Sequence, residues 1–166
     1  MLNIDNMQEL SRVTSIWSTL TPSQRDGCVI GLRINPLVGF GAVANLSVST
    51  RKSKFGIICP TEPCSERAEV VKALVECHFV NAVHVHTGSG GMTLKQMARG
   101  ATAAVNLAME VNGLRTEGKG KIDVIDIGGG LPVKWGGEQV RHTLFVRHSA
   151  HLICSAFSTP YLFGTP

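Results

Sequence analysis

Two short segments of this 166-residue chain combine the residue types needed to grip an anion. In Val124-Ile125-Asp126-Ile127-Gly128-Gly129-Gly130-Leu131-Pro132, an apolar strand ends in three glycines, and a proline stops its continuation. Side-chain-free residues at the C-terminal end of a strand let backbone N–H groups approach a ligand closely, above all a phosphate. A run of three glycines also makes an ordinary turn, so the motif needs support. Support comes from Val83-His84-Val85-His86-Thr87-Gly88-Ser89-Gly90-Gly91, a second β-branched strand running into a hydroxyl-bearing glycine loop. Two such strand ends, one helix-length apart, read as neighbouring loops on the same rim of a parallel barrel.

Period-two alternation places His84 and His86 on one strand face, with Val83 and Val85 on the other. Three chemistries fit that pair. The two imidazoles can share a metal ion, as in a metal-dependent barrel hydrolase, with Asp126 the obvious further ligand at a strand end. Alternatively, His86 stacks on a flat aromatic cofactor whose phosphate is held by Ser89 and Gly128, Gly129 and Gly130. Or both histidines are hydrogen-bonded core residues with no ligand. The parts for a phosphate grip are at hand, whereas the remaining ligands for a metal are not, so the cofactor reading is preferred and no metal is expected.

The elements that must position these loops alternate in type. Leu2 to Ile4 reads as the tail of a strand, and Asp5 as the N-cap of a helix with Gln8 placed for a capping box. Met7, Leu10, Val13, Trp17 and Leu20 form its apolar stripe, and Thr21-Pro22 ends it. Cys28 to Ile34 is an apolar run of the kind found in strands buried on both faces. Residues 35–61 read as a long loop, Ser65 as the cap of a second helix, and Phe79 to His86 as a strand. Thr93 with Gln96 opens a further capped helix, and Gly113 to Lys121 separates it from a strand over Ile122 to Ile127. The order β-α-β-loop-α-β-α-β predicts an α/β fold with parallel strands. Both a barrel and an open doubly wound sheet satisfy it. The tail from Lys134 onward shows no clean stripe, although His142 to Phe157 is a possible helix.

Five ordered matches give these segments a family likeness. His86-Thr87-Gly88-Ser89-Gly90 and Asp126-Ile127-Gly128-Gly129-Gly130 resemble the alanine-racemase-like barrel domain of the pyridoxal-phosphate-dependent ornithine, diaminopimelate and arginine decarboxylases. Asp5 to Leu10 is similar to that family's Asp-Ser-x-x-Glu-Leu helix start, with Asn6 in place of serine. Leu32-Arg33-Ile34-Asn35-Pro36 and Ser53-Lys54-Phe55-Gly56 resemble its Leu-Arg-Ile/Val-Asn-Pro strand and Ser-Lys-Phe-Gly loop. The resemblance implies pyridoxal 5'-phosphate as cofactor, a basic or diamino amino acid as small-molecule substrate, and a homodimer in the full-length family. It implies that His86 is the catalytic residue stacked on the pyridine ring. Ser89, Gly128, Gly129 and Gly130 would bind the phosphate, and Arg33 would lie near the cofactor and help position His86. Lys54 would belong to the loop structure and not carry the cofactor.

Departures from the family pattern shape the remaining expectations. The family's cofactor-bearing lysine lies in a Tyr-Ala-x-Lys motif and its pyridine-nitrogen partner in Glu-Pro-Gly-Arg; neither motif occurs here. A complete eight-fold barrel takes roughly 250 residues. The expected architecture is therefore a partial TIM-type barrel of about four βα units over residues 1–133. It would lack the first strands and the C-terminal β-domain, and an unassigned tail would fill 134–166. Such a fragment is expected to be inactive alone, and its open edges to favour association. The alternative from a different class is a non-catalytic homologue that regulates an active enzyme by binding it.

Composition narrows the partners. The densest basic cluster, Arg51-Lys52-Ser53-Lys54, lacks the aromatic interleaving of a nucleic-acid surface. No apolar run approaches the roughly 20 residues that cross a membrane. Cys28, Cys59, Cys64, Cys77 and Cys154 form no CxxC pair, which favours free thiols and a reducing, cytoplasmic compartment.

Overall fold

A computed structural model of the chain describes residues 1–39, 48–88 and 92–130. Within them lie strands β1 (Leu2–Ile4), β2 (Ile30–Asn35), β3 (Ile57–Ile58), β4 (Ala82–Val85) and β5 (Val124–Asp126). They alternate with helices α1 (Met7–Thr19), α2 (Pro22–Arg25), α3 (Ser65–Glu76) and α4 (Leu94–Leu114). The strands form one parallel sheet in the order β1-β2-β4-β5, with β3 pairing the far end of β2. Among the described residues the sheet is open. Ser89, the boundary expected at residue 133 and the helix expected over 142–157 fall outside those residues.

Alternation along each strand divides the sheet into two chemically different faces. Ile4, Leu32, Val83 and Ile125 stand in one register row, and Ile34 beside Val85 in another. These side chains pack with Leu10, Val70, Leu74, Ala104, Leu107 and Val111 from the covering helices into one core. The opposite face carries Asn3, Gly31 and Ala82 in one row and Arg33, His84 and Asp126 in the next. The predicted division of His84 from Val83 and Val85 is therefore present.

One hydrogen bond reports the curvature of this polar face. Asn3 Nδ2 on β1 donates to Asp126 Oδ2 on β5 at 3.1 Å, passing over two intervening strands. At about 4.8 Å per strand, a flat sheet would separate β1 from β5 by about 14 Å, more than two short side chains can bridge. The sheet must curl toward this face, as a barrel wall does. Gly31 clears the path: a Cβ there would lie 2.2 Å from Asn3 Oδ1.

Several local expectations are corrected. Asn6, not Asp5, caps α1: its Oδ1 accepts the Glu9 N–H at 2.8 Å, and Glu9 Oε2 accepts the Asp5 N–H at 2.9 Å. Glu9, not Gln8, is therefore the side chain that reaches back, to the N–H of the residue before the cap. The one-residue shift leaves the Asp5 carboxylate outside the cap and available to the sheet. Cys64, not Ser65, caps α3, its Sγ accepting the Arg67 N–H at 3.4 Å. Thr21 does more than end α1, since with Gln24 it forms a capping box that starts α2. The long loop after β2 contains β3, too short to show a period. Helix α4 continues through Gly113 to Leu114. Its Thr93–Gln96 capping box forms as expected. Cys28 and Cys77 pack at the core margin as free thiols.

Candidate functional site

The rim formed by the C-terminal ends of β4 and β5 brings His86 against the glycine turn. These strands are direct neighbours, with His84 opposite Asp126. Gly128 has φ +69°, a conformation that favours glycine. A Cβ at Gly128 would lie 2.8 Å from His86 Nδ1, 2.9 Å from its Cβ and 2.9 Å from the Val85 carbonyl oxygen. The turn thus packs flush on the imidazole. Gly129 donates its N–H to His86 Nδ1 at 3.1 Å. Because Nδ1 accepts, the proton of the neutral ring resides on Nε2. A Cβ built on Gly129 meets nothing within 4 Å, so the turn is open on that side. Gly130 follows at φ +86°.

Burial, then the charges of Arg33 and His84, lower the His86 pKa, while Asp126 opposes them. The side chain of His86 is thus biased toward the neutral imidazole. Asp126 is biased toward its anion. The His84 imidazole is the largest influence holding its carboxyl well below the usual carboxylate range, against burial and aided by the Gly128 N–H and the Asn3 amide. Asp126 Oδ1 accepts that N–H at 2.9 Å, and His84 Nδ1 lies 2.8 Å from Oδ2, though poorly angled for a hydrogen bond.

Arg33 stands beside His84 on β2 and is held from two sides. Its Nη1 is 3.3 Å from Asp5 Oδ1, and its Cζ lies 4.7 Å from the centre of the Phe55 ring. Asp5 Oδ1 also accepts the Gly56 N–H at 3.1 Å, so one oxygen ties β2 to the Ser53-Lys54-Phe55-Gly56 loop. Gly56, at φ +73°, is in a conformation that favours glycine, and a Cβ would crowd the Ile34 backbone at 3.1 Å. Lys54 is exposed and lies 5.1 Å from the Phe55 ring centre, within the loop as expected. Asp5→Ala is expected to cost about 1 kcal/mol, the worth of a charge-assisted hydrogen bond in a half-exposed place. Asp5→Asn, which keeps an acceptor for Gly56, should recover part of it. Urea midpoints of the two variants and the wild type check this.

Sequence reasoning had His86, Arg33 and the three glycines, and the structure brings His86 together with Gly128 and Gly129. It missed Asn3, the role of Asp5 and the full role of Asp126. The signal for Asp126 was its place two residues before Gly128, where an aspartate readily bonds the turn it starts. Asn3 carried no comparable signal, because its reach depends on the curl of the sheet. Among the described residues, no group of three His, Cys, Asp or Glu side chains converges as metal ligands. Nor is any helix among them long and apolar enough to cross a membrane.

Comparison with known proteins bears on this geometry. Residues 1–159 match the family model for the pyridoxal binding domain of pyridoxal-dependent decarboxylases. The chain is 29% identical over 140 residues to a diaminopimelate decarboxylase of Methanothermobacter thermautotrophicus, a match covering 83% of this chain. It spans only 29% of that relative's length. Two solved structures of diaminopimelate decarboxylase from Helicobacter pylori, both complexed with L-lysine, share its fold at 23% identity. One gives a TM-score of 0.58, covering 84% of this chain and 32% of the other. The second, a point mutant of the same enzyme, gives 0.60, covering 95% and 36%. The expected parallel α/β architecture of a partial barrel is thus present, and pyridoxal phosphate is the cofactor that goes with it. The chain belongs to the pyridoxal-dependent decarboxylases and carries their pyridoxal binding domain.

Proposed function

We propose that this chain forms the cofactor-anchoring wall of an amino-acid decarboxylase acting on a diamino or basic amino acid. Diaminopimelate is the preferred substrate, because the matched relatives are diaminopimelate decarboxylases. Loss of carbon dioxide from diaminopimelate leaves lysine, the ligand of the Helicobacter pylori structures. The observation that carries the reading is the glycine turn after β5 lying flush on His86 after β4.

In this reading, His86 offers a neutral ring face to the pyridine ring. Ser89 and the Gly130 end of the turn hold the phosphate, and Gly129 leaves the open side clear while its N–H stays on His86. Gly128 supplies clearance, since its N–H is committed to Asp126. Arg33, fixed by Asp5 and Phe55, places positive charge near an anionic ligand and disfavours protonation of His86. When bound, the pyridine ring of the cofactor is an electron sink for the pair left as carbon dioxide departs. No Tyr-Ala-x-Lys occurs in the 166 residues, so the reading assigns this chain cofactor anchoring and not turnover. For the whole enzyme the reading keeps the homodimer that the family resemblance implies and the cytoplasmic location expected from the free thiols.

Equilibrium dialysis of the purified chain against pyridoxal 5'-phosphate tests the proposal. Saturable binding is expected, weakened about tenfold in His86→Ala, a stacking contact being worth ~1 kcal/mol or more. Equal binding by wild type and His86→Ala, or no saturable binding by either, would sink it.

A further inference from the structure

We propose that Asp126 is a positioning residue for His86, acting through the glycine turn and not by its charge. The inference deepens the cofactor reading above and rests on it for its functional meaning. Its geometry is a chain of contacts across three strands. Asn3 Nδ2 donates to Asp126 Oδ2 at 3.1 Å, which anchors the carboxylate on the far side of the sheet face. Asp126 Oδ1 accepts the Gly128 N–H at 2.9 Å, which closes the turn. The closed turn aims the next N–H, that of Gly129, at His86 Nδ1 at 3.1 Å.

Each link sets the next. Gly128 at φ +69° belongs to a region in which the chain has many alternatives, so the turn keeps this shape only while something holds it. The Asp126 oxygen is that hold. With the turn closed, Nδ1 of His86 cannot take a proton without losing the Gly129 bond, and Gly128 packs so close that no Cβ would fit between it and the ring. The imidazole is therefore kept neutral, with its proton on Nε2 and its plane set, before any ligand arrives. Among the described residues, the charged or titratable groups that act on His86 are Arg33 from β2, His84 from its own strand and Asp126 from β5.

Two substitutions separate positioning from charge, because they push the His86 pKa in opposite directions. Removing an anion near an imidazole lowers its pKa. Releasing the turn frees Nδ1 and raises the pKa toward the ordinary ~6.5. Asp126→Ala removes both the charge and the acceptor, whereas Asp126→Asn removes the charge and keeps an oxygen for Gly128, its NH2 donating to Asn3 Oδ1 once the Asn3 amide turns over. NMR titration of His86 in the whole chain without cofactor is expected to give a raised pKa in Asp126→Ala. In Asp126→Asn the value should lie at or below that of the wild type. A lowered His86 pKa in folded Asp126→Ala would overturn the proposal. If Asp126→Ala does not fold, Asp126→Asn alone decides, a value above wild type being fatal.

Dialysis of the same proteins against pyridoxal 5'-phosphate supplies the second readout. Asp126→Ala should bind about tenfold more weakly, the effect of about one lost hydrogen bond, and Asp126→Asn close to wild type. Equal binding by all three would overturn the positioning role. Failure of the wild type to bind would instead remove the cofactor reading, leaving the titration to judge the contact chain.

Discussion

Gly128→Ala is expected to lose about 2–3 kcal/mol of stability and about 100-fold in affinity for pyridoxal 5'-phosphate, whereas Gly129→Ala keeps its stability. The difference follows from the two positions and not from the residue type. At Gly128 an alanine must adopt φ +69°, which costs about 1–2 kcal/mol for an L-residue. Its Cβ would also meet the Val85 carbonyl oxygen, part of the β4 backbone, and two atoms of His86 at 2.8–2.9 Å. The strand cannot yield without losing its pairing to β2 and β5, so His86 or the turn must move. Either movement breaks the Gly129 bond to His86 Nδ1. At Gly129 the φ is not positive and nothing stands within 4 Å, so alanine costs at most about 0.5 kcal/mol. That methyl nevertheless enters the open side of the turn, so affinity should fall without a stability change. Urea midpoints and dialysis on the two variants check the split. Gly128→Ala as stable as wild type would show that the turn is not seated on His86.

How far the sequence revealed this depended on whether each signal was local. Alternation in Val83-His84-Val85-His86 is set by the pleat, so its faces were legible residue by residue. The strand-to-glycine transition at Ile127-Gly128 was legible for the same reason. Two of the caps were legible in kind but slipped by one residue, because Asp5 and Asn6, or Cys64 and Ser65, offer side-chain acceptors side by side. Tertiary contacts decide between such neighbours: Asp5 is drawn off by Arg33 and the Gly56 N–H, and Asn6 takes the cap. Strand β3 was hidden because two residues carry no period, and its pairing to Ile34 and Asn35 is set by the loop that returns it. The Asn3–Asp126 contact lay furthest from view. It joins residues 123 apart and exists only because the sheet curls, a property of the assembled strands and of the space left by Gly31.

Arg115→Met is expected to be the most damaging single change away from the site, at about 3–5 kcal/mol, the cost of stranding several buried carbonyls at once. Residues 113–121 read as a polar linker, yet Arg115 is only 7% exposed. It caps the C-terminus of α4 and spends its guanidinium entirely on backbone carbonyls. Nε and Nη2 both donate to Leu74 O, at 3.2 and 2.6 Å. Nη2 also reaches Cys77 O at 3.2 Å and Val80 O at 3.0 Å, and Nη1 donates to Gly120 O at 2.6 Å. These oxygens belong to the end of α3, the approach to β4 and the α4–β5 connection, so one side chain joins three segments. Burial lowers its pKa, but a guanidinium stays charged. The positive charge is balanced by carbonyl dipoles, including those at the C-terminal end of α3. Methionine fills much of the volume and takes the guanidinium from the Leu74, Val80 and Gly120 carbonyls, while Cys77 O keeps the Val80 N–H, at about 1–3 kcal/mol for each one truly stranded. Lysine restores the charge as a single point and cannot satisfy a fork of carbonyls. Arg115→Lys should therefore recover less than half the loss. Guanidinium chloride midpoints measure both. Because these contacts lie at the ends where β4 and β5 begin and the proposed site lies where they finish, folded Arg115→Met should bind pyridoxal 5'-phosphate like the wild type. A loss below about 1 kcal/mol would mean that water replaces the guanidinium at these carbonyls, and that the segments hold together without it.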